Sequence, residues 1–229
     1  MPHRIATRTE GPAPDSRLPH PGPWLLDDQA HAASAFLAAF EHTGDGRWLD
    51  RARELVDMTL AFYWDDDEGG FFDAREQTGG FLATRAKPIQ DAPTASPNAT
   101  AAIVLLRLAA LSGEEKYRGR ARLLLEAFAG TAADLGIHGA TWLRALDWLL
   151  NGECQIEVAD DLERHLHREA LRHYRPRKVV LPRRGSPVPG TPPPVALVCA
   201  DTTCAAPVHD SGALRKLLEH FGREAGGAS

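Results

Sequence analysis

The sequence predicts a mainly α fold, in which helical hairpins form an incomplete (α/α) toroid and a small α/β segment follows at the C-terminal end. Three observations lead to that class. The stretch Thr43-Gly44-Asp45-Gly46-Arg47-Trp48, with Ala52 just beyond, returns as Ser112-Gly113-Glu114-Glu115-Lys116-Tyr117 with Ala121, the two glycines lying 69 residues apart. Each copy reads as a helix, a tight glycine turn and a second helix with an aromatic residue in its first turn, so the chain repeats a helical hairpin. The connection between the copies carries two strand-like runs, residues 68–73 and 81–85. That is longer than the links of most helical solenoids and favours a toroid over a solenoid. After Asn151-Gly152 the pattern changes to short β-like runs separated by one helical stretch and a proline-rich loop.

Along the chain, residues 1–23 hold Pro2, Pro12, Pro14, Pro19, Pro21 and Pro23 with almost no apolar periodicity, and read as a disordered leader. The toroid portion spans residues 24–151. Its first helix covers residues 28–42, where Ala33, Phe36, Leu37 and Phe40 recur at helical spacing and Gly44 ends the run. Asp45 caps the second helix, whose inner stripe is Trp48, Ala52, Leu55, Thr59 and Phe62. Ser112 and Glu115 have capping-box spacing ahead of the fourth helix. A fifth, residues 139–150, puts Trp142, Leu146 and Leu149 on one face. The α/β segment covers residues 152–224, with strands at 155–159, 178–181 and 195–200, a helix within 161–174, a parallel strand pair and a last amphipathic helix at 211–221. Residues 225–229 read as a disordered tail.

Composition narrows the function classes. The chain has 229 residues, of which 43% are hydrophobic, enough for a real core. Its 26 Lys and Arg against 31 Asp and Glu give a net charge of −5, and the one short basic region, residues 172–184, does not make a surface that tracks phosphates. Nucleic acid is therefore not an expected partner. The apolar run 99–110 is broken by Arg107 and is too short for a bilayer, and the first residues lack an apolar signal core, so neither a membrane partner nor export is expected and the cytoplasm is the expected compartment. Three cysteines are an odd, low count that predicts no stable structural disulfide. No cofactor and no metal site is expected.

The C-terminal stretch Cys199-Ala200-Asp201-Thr202-Thr203-Cys204-Ala205-Ala206-Pro207-Val208-His209-Asp210 resembles the CxxxTCxxPVxD terminus of the YyaL and spermatogenesis-associated protein 20 family. That family joins a thioredoxin-like domain to a toroid of the six-hairpin glycosidase and N-acylglucosamine 2-epimerase kind. The similarity extends over residues 24–221, through Asp28 and Ala30, Thr43-Gly44-Asp45, Gly69-Gly70-Phe71-Phe72-Asp73, and residues 85–98, which are similar to the family pattern RxKxxxDxxxPSGNS. Asp91, Ser96 and Asn98 match that pattern, whereas Pro97 replaces its glycine, Ala99 its final serine, and Gln29 the aromatic residue usual after Asp28. The chain looks like the last part of such a protein. A Cys-x-x-Cys domain and more than half of a twelve-helix ring are missing, so the resemblance implies a truncated family member or one completed by another chain.

By the same resemblance the function is carbohydrate-related, either sugar binding or isomerase- or hydrolase-like chemistry in a cavity at the N-terminal ends of the inner helices. Asp28 and Asp91 are then the catalytic candidates, because glycoside chemistry uses paired carboxylates. Ser96, Asn98, His31 and Arg85 are the substrate-binding candidates, and His31, one turn past Asp28, could also act as the base of an epimerase-like reaction, a task to which imidazole is suited near neutral pH. Against this, Asp28 and Ser96 also suit helix capping, Pro97 suits a first helical position, Trp48 and Trp142 suit the core, and His165, His167 and His173 suit a solvated helix face. The other function class is a non-catalytic accessory or remnant of a thioredoxin-fused protein, with Cys199 and Cys204 as a redox pair. The partners these readings imply are a small-molecule sugar, and a thioredoxin-like domain or the missing toroid portion.

Overall fold

The computed structural model describes residues 25–75, 85–200 and 203–221. The leader, the tail, Trp24 and the second strand-like run at 81–84 lie outside them. The helices are α1 (Leu26–Thr43), α2 (Gly46–Tyr63), α3 (Pro97–Ser112), α4 (Glu115–Ala127), the short α5 (Ala129–Ala132), α6 (Ala140–Asn151), α7 (His165–Arg172) and α8 (Ser211–His220). A 3₁₀ stretch, Ala133–Gly139, leads into α6. The strands are β1 (Cys154–Ala159), β2 (Lys178–Arg183), β3 (Val195–Ala200) and β4 (Thr203–Cys204). The mainly α class and the appended α/β segment are borne out.

Both repeated hairpins form. Gly44 and Gly113 take left-handed backbone, φ 73° and 75°, and their amides close onto the carbonyls of Phe40 and Ala109. A Cβ at Gly44 would sit 3.3 Å from the Pro182 side chain in a conformation L-residues rarely adopt, so a larger residue is excluded there twice over. Asp45 caps α2 by accepting the Arg47 amide at 3.1 Å. Ser112 departs from the expected capping box: it is the last residue of α3, where its hydroxyl donates to the Leu108 carbonyl, and Glu114 holds the N-cap position of α4. The buried stripe of α2 is Ala52, Val56, Thr59 and Tyr63, rotated from the expected one. Trp48 consequently lies at the rim, 37% exposed and stacked on Phe36, while its counterpart Tyr117 is fully buried and donates to Asp57.

The expected strand at 68–73 is instead a turn folded against the end of α2. Asp65 accepts the amides of Asp67 and Glu68, Gly69 and Gly70 take positive φ, and only Phe71 pairs, as a single bridge to Trp64. Lys87 anchors the turn through Asp65 at 2.5 Å.

Three helices run parallel with their N-termini at one end. Phe71 is tied to Asn98 at the start of α3 and Asp73 to Leu26 at the start of α1, while Asp91 joins the starts of α3 and α6. α2 and α4 pack behind them. α3 is central and buried along nearly its whole length, as expected of a helix surrounded by others.

The sheet order is β2-β1-β3-β4, with β1 and β2 parallel and the other pairs antiparallel. Alternation along β2 explains how this segment attaches. Val179 joins the core of the helical part, while Val180 joins Ile156, Val158, Val198, Leu166 and Leu214 beneath α7 and α8. The C-terminal ends of α1 and α3 thus rest on one face of the sheet, and α7 and α8 cover the other. Glu41 fastens the seam: it is 8% exposed, accepts the Val180 amide at 2.9 Å and pairs with Arg107.

Candidate functional site

The parallel faces of α1, α3 and α6 wall a cleft of about 590 Å³, closed on one side by the Tyr174–Lys178 loop that links α7 to β2. α1 contributes His31 and Ser34, and α3 contributes Thr100, Ile103 and Arg107, a spacing of three and four that keeps one helix face toward the opening. From α6 come Thr141, Arg144, Asp147 and Trp148 at the same periodicity. The volume suits a small molecule of one or two rings.

The wall is polar and positively charged. Arg107 reaches the Ser34 hydroxyl at 3.3 Å and pairs with Glu41. Arg177 pairs with Asp147 at 2.7 Å and donates to the Gly152 carbonyl. Arg175 donates to the carbonyls of Leu218 and Phe221 and meets no carboxylate among the described residues. Lys178 caps the end of α7, donating to Ala170 at 2.7 Å and Leu171 at 3.0 Å, and burial lowers its pKa. Arg144 is exposed and makes no hydrogen bond or ion pair among the described residues. Behind the surface, the Thr100 hydroxyl and the Trp148 indole N–H are buried without a hydrogen-bond partner.

Of the residues singled out in the sequence, His31 lines this cleft, half exposed and 3.3 Å from Asp27. Asp28 stands at the third position of α1 and accepts the Leu25 amide at 3.0 Å, which satisfies a donor at the helix start. Asp91 holds two helix starts together through the Ser96 amide at 2.8 Å and the Thr141 amide at 2.9 Å. Partial burial opposes its charge, but those two backbone donors outweigh it and keep the carboxyl below its usual range. Ser96 caps α3 through the Ala99 amide at 3.1 Å with Pro97 in the first turn. Asn98 is fully buried: it accepts the Phe71 amide and donates to the carbonyls of Phe71 and Pro88. Arg85 lies 3.8 Å over the Phe72 ring. The polar run 85–98 therefore builds the scaffold at the helix starts, and Asp91 reaches the cleft wall through Thr141.

The sequence offered a signal for the rest of the wall that periodicity of apolar residues hides. Arg107 is the lone charge in an apolar run, and Thr100-Ile103-Arg107 and Thr141-Arg144-Trp148 each mark one helical face with polar groups. The basic region 172–184 supplies the closing loop.

Two expectations away from the cleft are corrected. Cys199 and Cys204 are joined by a disulfide. The reason lies in the register, since β4 pairs antiparallel with β3 and sets the two cysteines directly opposite each other, 4.0 Å apart at Cα. Cys154 is a free, buried thiol whose pKa burial raises. His167 is 4% exposed rather than solvated, because α7 turns it into the seam, where Nε2 meets the Glu41 carbonyl at 2.6 Å and Arg164 faces Nδ1. Among the described residues no group of three His, Cys, Asp or Glu is placed to hold a metal ion, and no helix is long and apolar enough to cross a membrane.

No protein-family model matches the chain. In sequence it is similar to spermatogenesis-associated protein 20 of Homo sapiens, 27% identical over 92% of this chain, and to the protein of that name from Rattus norvegicus, 29% identical over 71%. The chain spans 30% and 21% of the lengths of those two relatives.

Proposed function

From the premise that the chain is a relative of spermatogenesis-associated protein 20, matching one part of it, we propose that this part is a carbohydrate-binding portion of an (α/α) toroid and that the cleft between α1, α3 and α6 is its sugar site. The observation that carries the reading is the cleft itself. Parallel helices present hydroxyls, guanidiniums and an aromatic residue toward one space of about 590 Å³, a mixture that suits a ring with several hydroxyl groups. Asp28, Asp91, Ser96 and Asn98 set the helix starts, His31 and the face of α3 meet the ligand, and Arg85 braces the Phe72 side of the scaffold. Asp91, ionised and occupied by two amides, suits positioning better than proton transfer, so binding rather than turnover is the function assigned to this part. The test is titration calorimetry with neutral and acidic monosaccharides on the wild type and on Ile103→Trp, which fills the cleft. Saturable binding abolished by Ile103→Trp supports the reading, and binding that Ile103→Trp leaves intact removes the site.

A second reading rests on the disulfide. Cys204 is exposed on the two-residue β4, so a dithiol partner, such as the thioredoxin-like domain the family resemblance implies, can reach the bond. One partner thiolate attacks a sulfur of the disulfide, and the second partner thiol then resolves the mixed disulfide, leaving Cys199 and Cys204 reduced and the partner oxidised. Thiol counting after exposure to reduced thioredoxin tests it: two new thiols support the reading, and none at protein-equivalent concentrations excludes it.

A further inference from the structure

The cleft has a charge that a neutral sugar does not need. Its wall carries Arg107, Arg144, Arg175, Arg177 and Lys178 against one acid, Asp147, although the whole chain has a net charge of −5. Arg107 is matched by Glu41 and Arg177 by Asp147. Arg144 and Arg175 are matched by no carboxylate among the described residues, and Arg144 lacks any partner there. A guanidinium stays protonated at any physiological pH and offers a fork of N–H donors suited to a planar or tetrahedral oxyanion. Tyr174 from the closing loop and Thr141 one turn earlier on α6 line the same cleft.

Resting on the sugar-site reading above, we propose that the ligand is an acidic sugar, a uronic acid or a sugar phosphate, whose oxyanion is taken by Arg144 at the α6 side of the cleft with Arg175 contributing positive potential from the loop. Arg177 is held by Asp147 and so serves to fix the loop against α6, which places Arg175 and Tyr174 at the opening. The same arrangement disfavours cationic amino sugars, because Arg144 would then face a like charge.

The test is calorimetry with glucuronate and glucose 6-phosphate as acidic sugars, glucose as their neutral counterpart, and inorganic phosphate and acetate as anions without a sugar, on the wild type and Arg144→Gln. Arg144 is exposed on α6, so the variant is expected to fold, and Arg122→Gln, on the exposed face of α4 and outside the cleft wall, is the charge-matched control. The expected result is binding of at least one acidic sugar that exceeds glucose by about tenfold or more, falls by about tenfold or more in Arg144→Gln, and weakens as salt rises. Glucose binding as tightly as glucuronate and glucose 6-phosphate, with Arg144→Gln unchanged, overturns the charge assignment and leaves the sugar site standing. Phosphate or acetate matching the acidic sugars overturns the sugar reading itself, as does the absence of binding by every probe.

Discussion

Replacing Asn98 with alanine isolates what the polar run before α3 does. Asn98 is fully buried and makes three hydrogen bonds: from the Phe71 amide at 2.8 Å, to the Phe71 carbonyl at 3.0 Å and to the Pro88 carbonyl at 2.9 Å. Each is worth about 1 kcal/mol net, and alanine recovers about 0.5 kcal/mol through its higher helix propensity. Phe71 is 1% exposed, so water cannot easily reach the backbone groups left behind, and that adds a desolvation cost of about 1 kcal/mol or more. The expected loss is about 3.5 kcal/mol, a large share of the roughly 5–15 kcal/mol that holds a typical domain together. For a chain of this size that lowers Tm by about 7–14 °C. Urea unfolding followed by circular dichroism reads the loss directly, with an unchanged denaturant slope showing that the native state has kept its compactness. A loss below about 1 kcal/mol would refute the reasoning, and so would a variant of normal stability that had lost ligand binding, since Asn98 would then be a ligand contact and not a clamp.

Two further predictions concern the seam between helices and sheet. Glu41→Ala strands the Val180 amide and leaves Arg107 without its carboxylate, so it should cost about 3–5 kcal/mol in urea unfolding, whereas Glu41→Gln, which keeps an acceptor, should cost less. His167 is pushed below its ordinary 6.5 first by burial, against the Glu41 carbonyl that favours its charged form, with the nearby Arg164 charge adding to the depression and Asp161 opposing it. The unfolded chain therefore takes up this proton first as pH falls. The contribution is complete above pH 6.5 and is lost below it toward the lower folded value. Urea midpoints should drop as pH falls from about 7.5 to about 5.5, and His167→Gln should flatten that part of the dependence; an equal slope in the variant would assign it to other groups.

Much of the helical layout was legible because it depends on local rules. Gly44 and Gly113 end helices for reasons of backbone conformation, Asp45 and Ser96 cap because their side chains are short acceptors, and Pro97 sits where its missing N–H costs nothing. The parallel β1–β2 pair followed from two apolar runs around a helix. What was not legible depends on contacts distant in sequence. Trp48 looked like core, but rotation of the α2 stripe placed it at the rim. His167 looked solvated until α7 met the end of α1, 126 residues away. The disulfide depended on the antiparallel pairing of β4 with β3, which the low cysteine count did not suggest. The cleft was hidden for the same reason: its wall draws single faces from three helices and a loop, and the acidic and amide residues that stood out in the sequence hold those helices in place instead.

The cleft's role as a ligand site is tested most directly by nuclear magnetic resonance of the tryptophan indole N–H groups during titration with glucuronate and glucose 6-phosphate. The chain has five tryptophans, and among the described residues Trp148 is the one on the cleft wall, its signal assigned by Trp148→Phe. The expected result is that the Trp148 indole signal shifts saturably while Trp142, in the core, and Trp48, at the rim of the first hairpin, stay in place. Saturable shifts at those other tryptophans with Trp148 unmoved, or no shift at all, would contradict it.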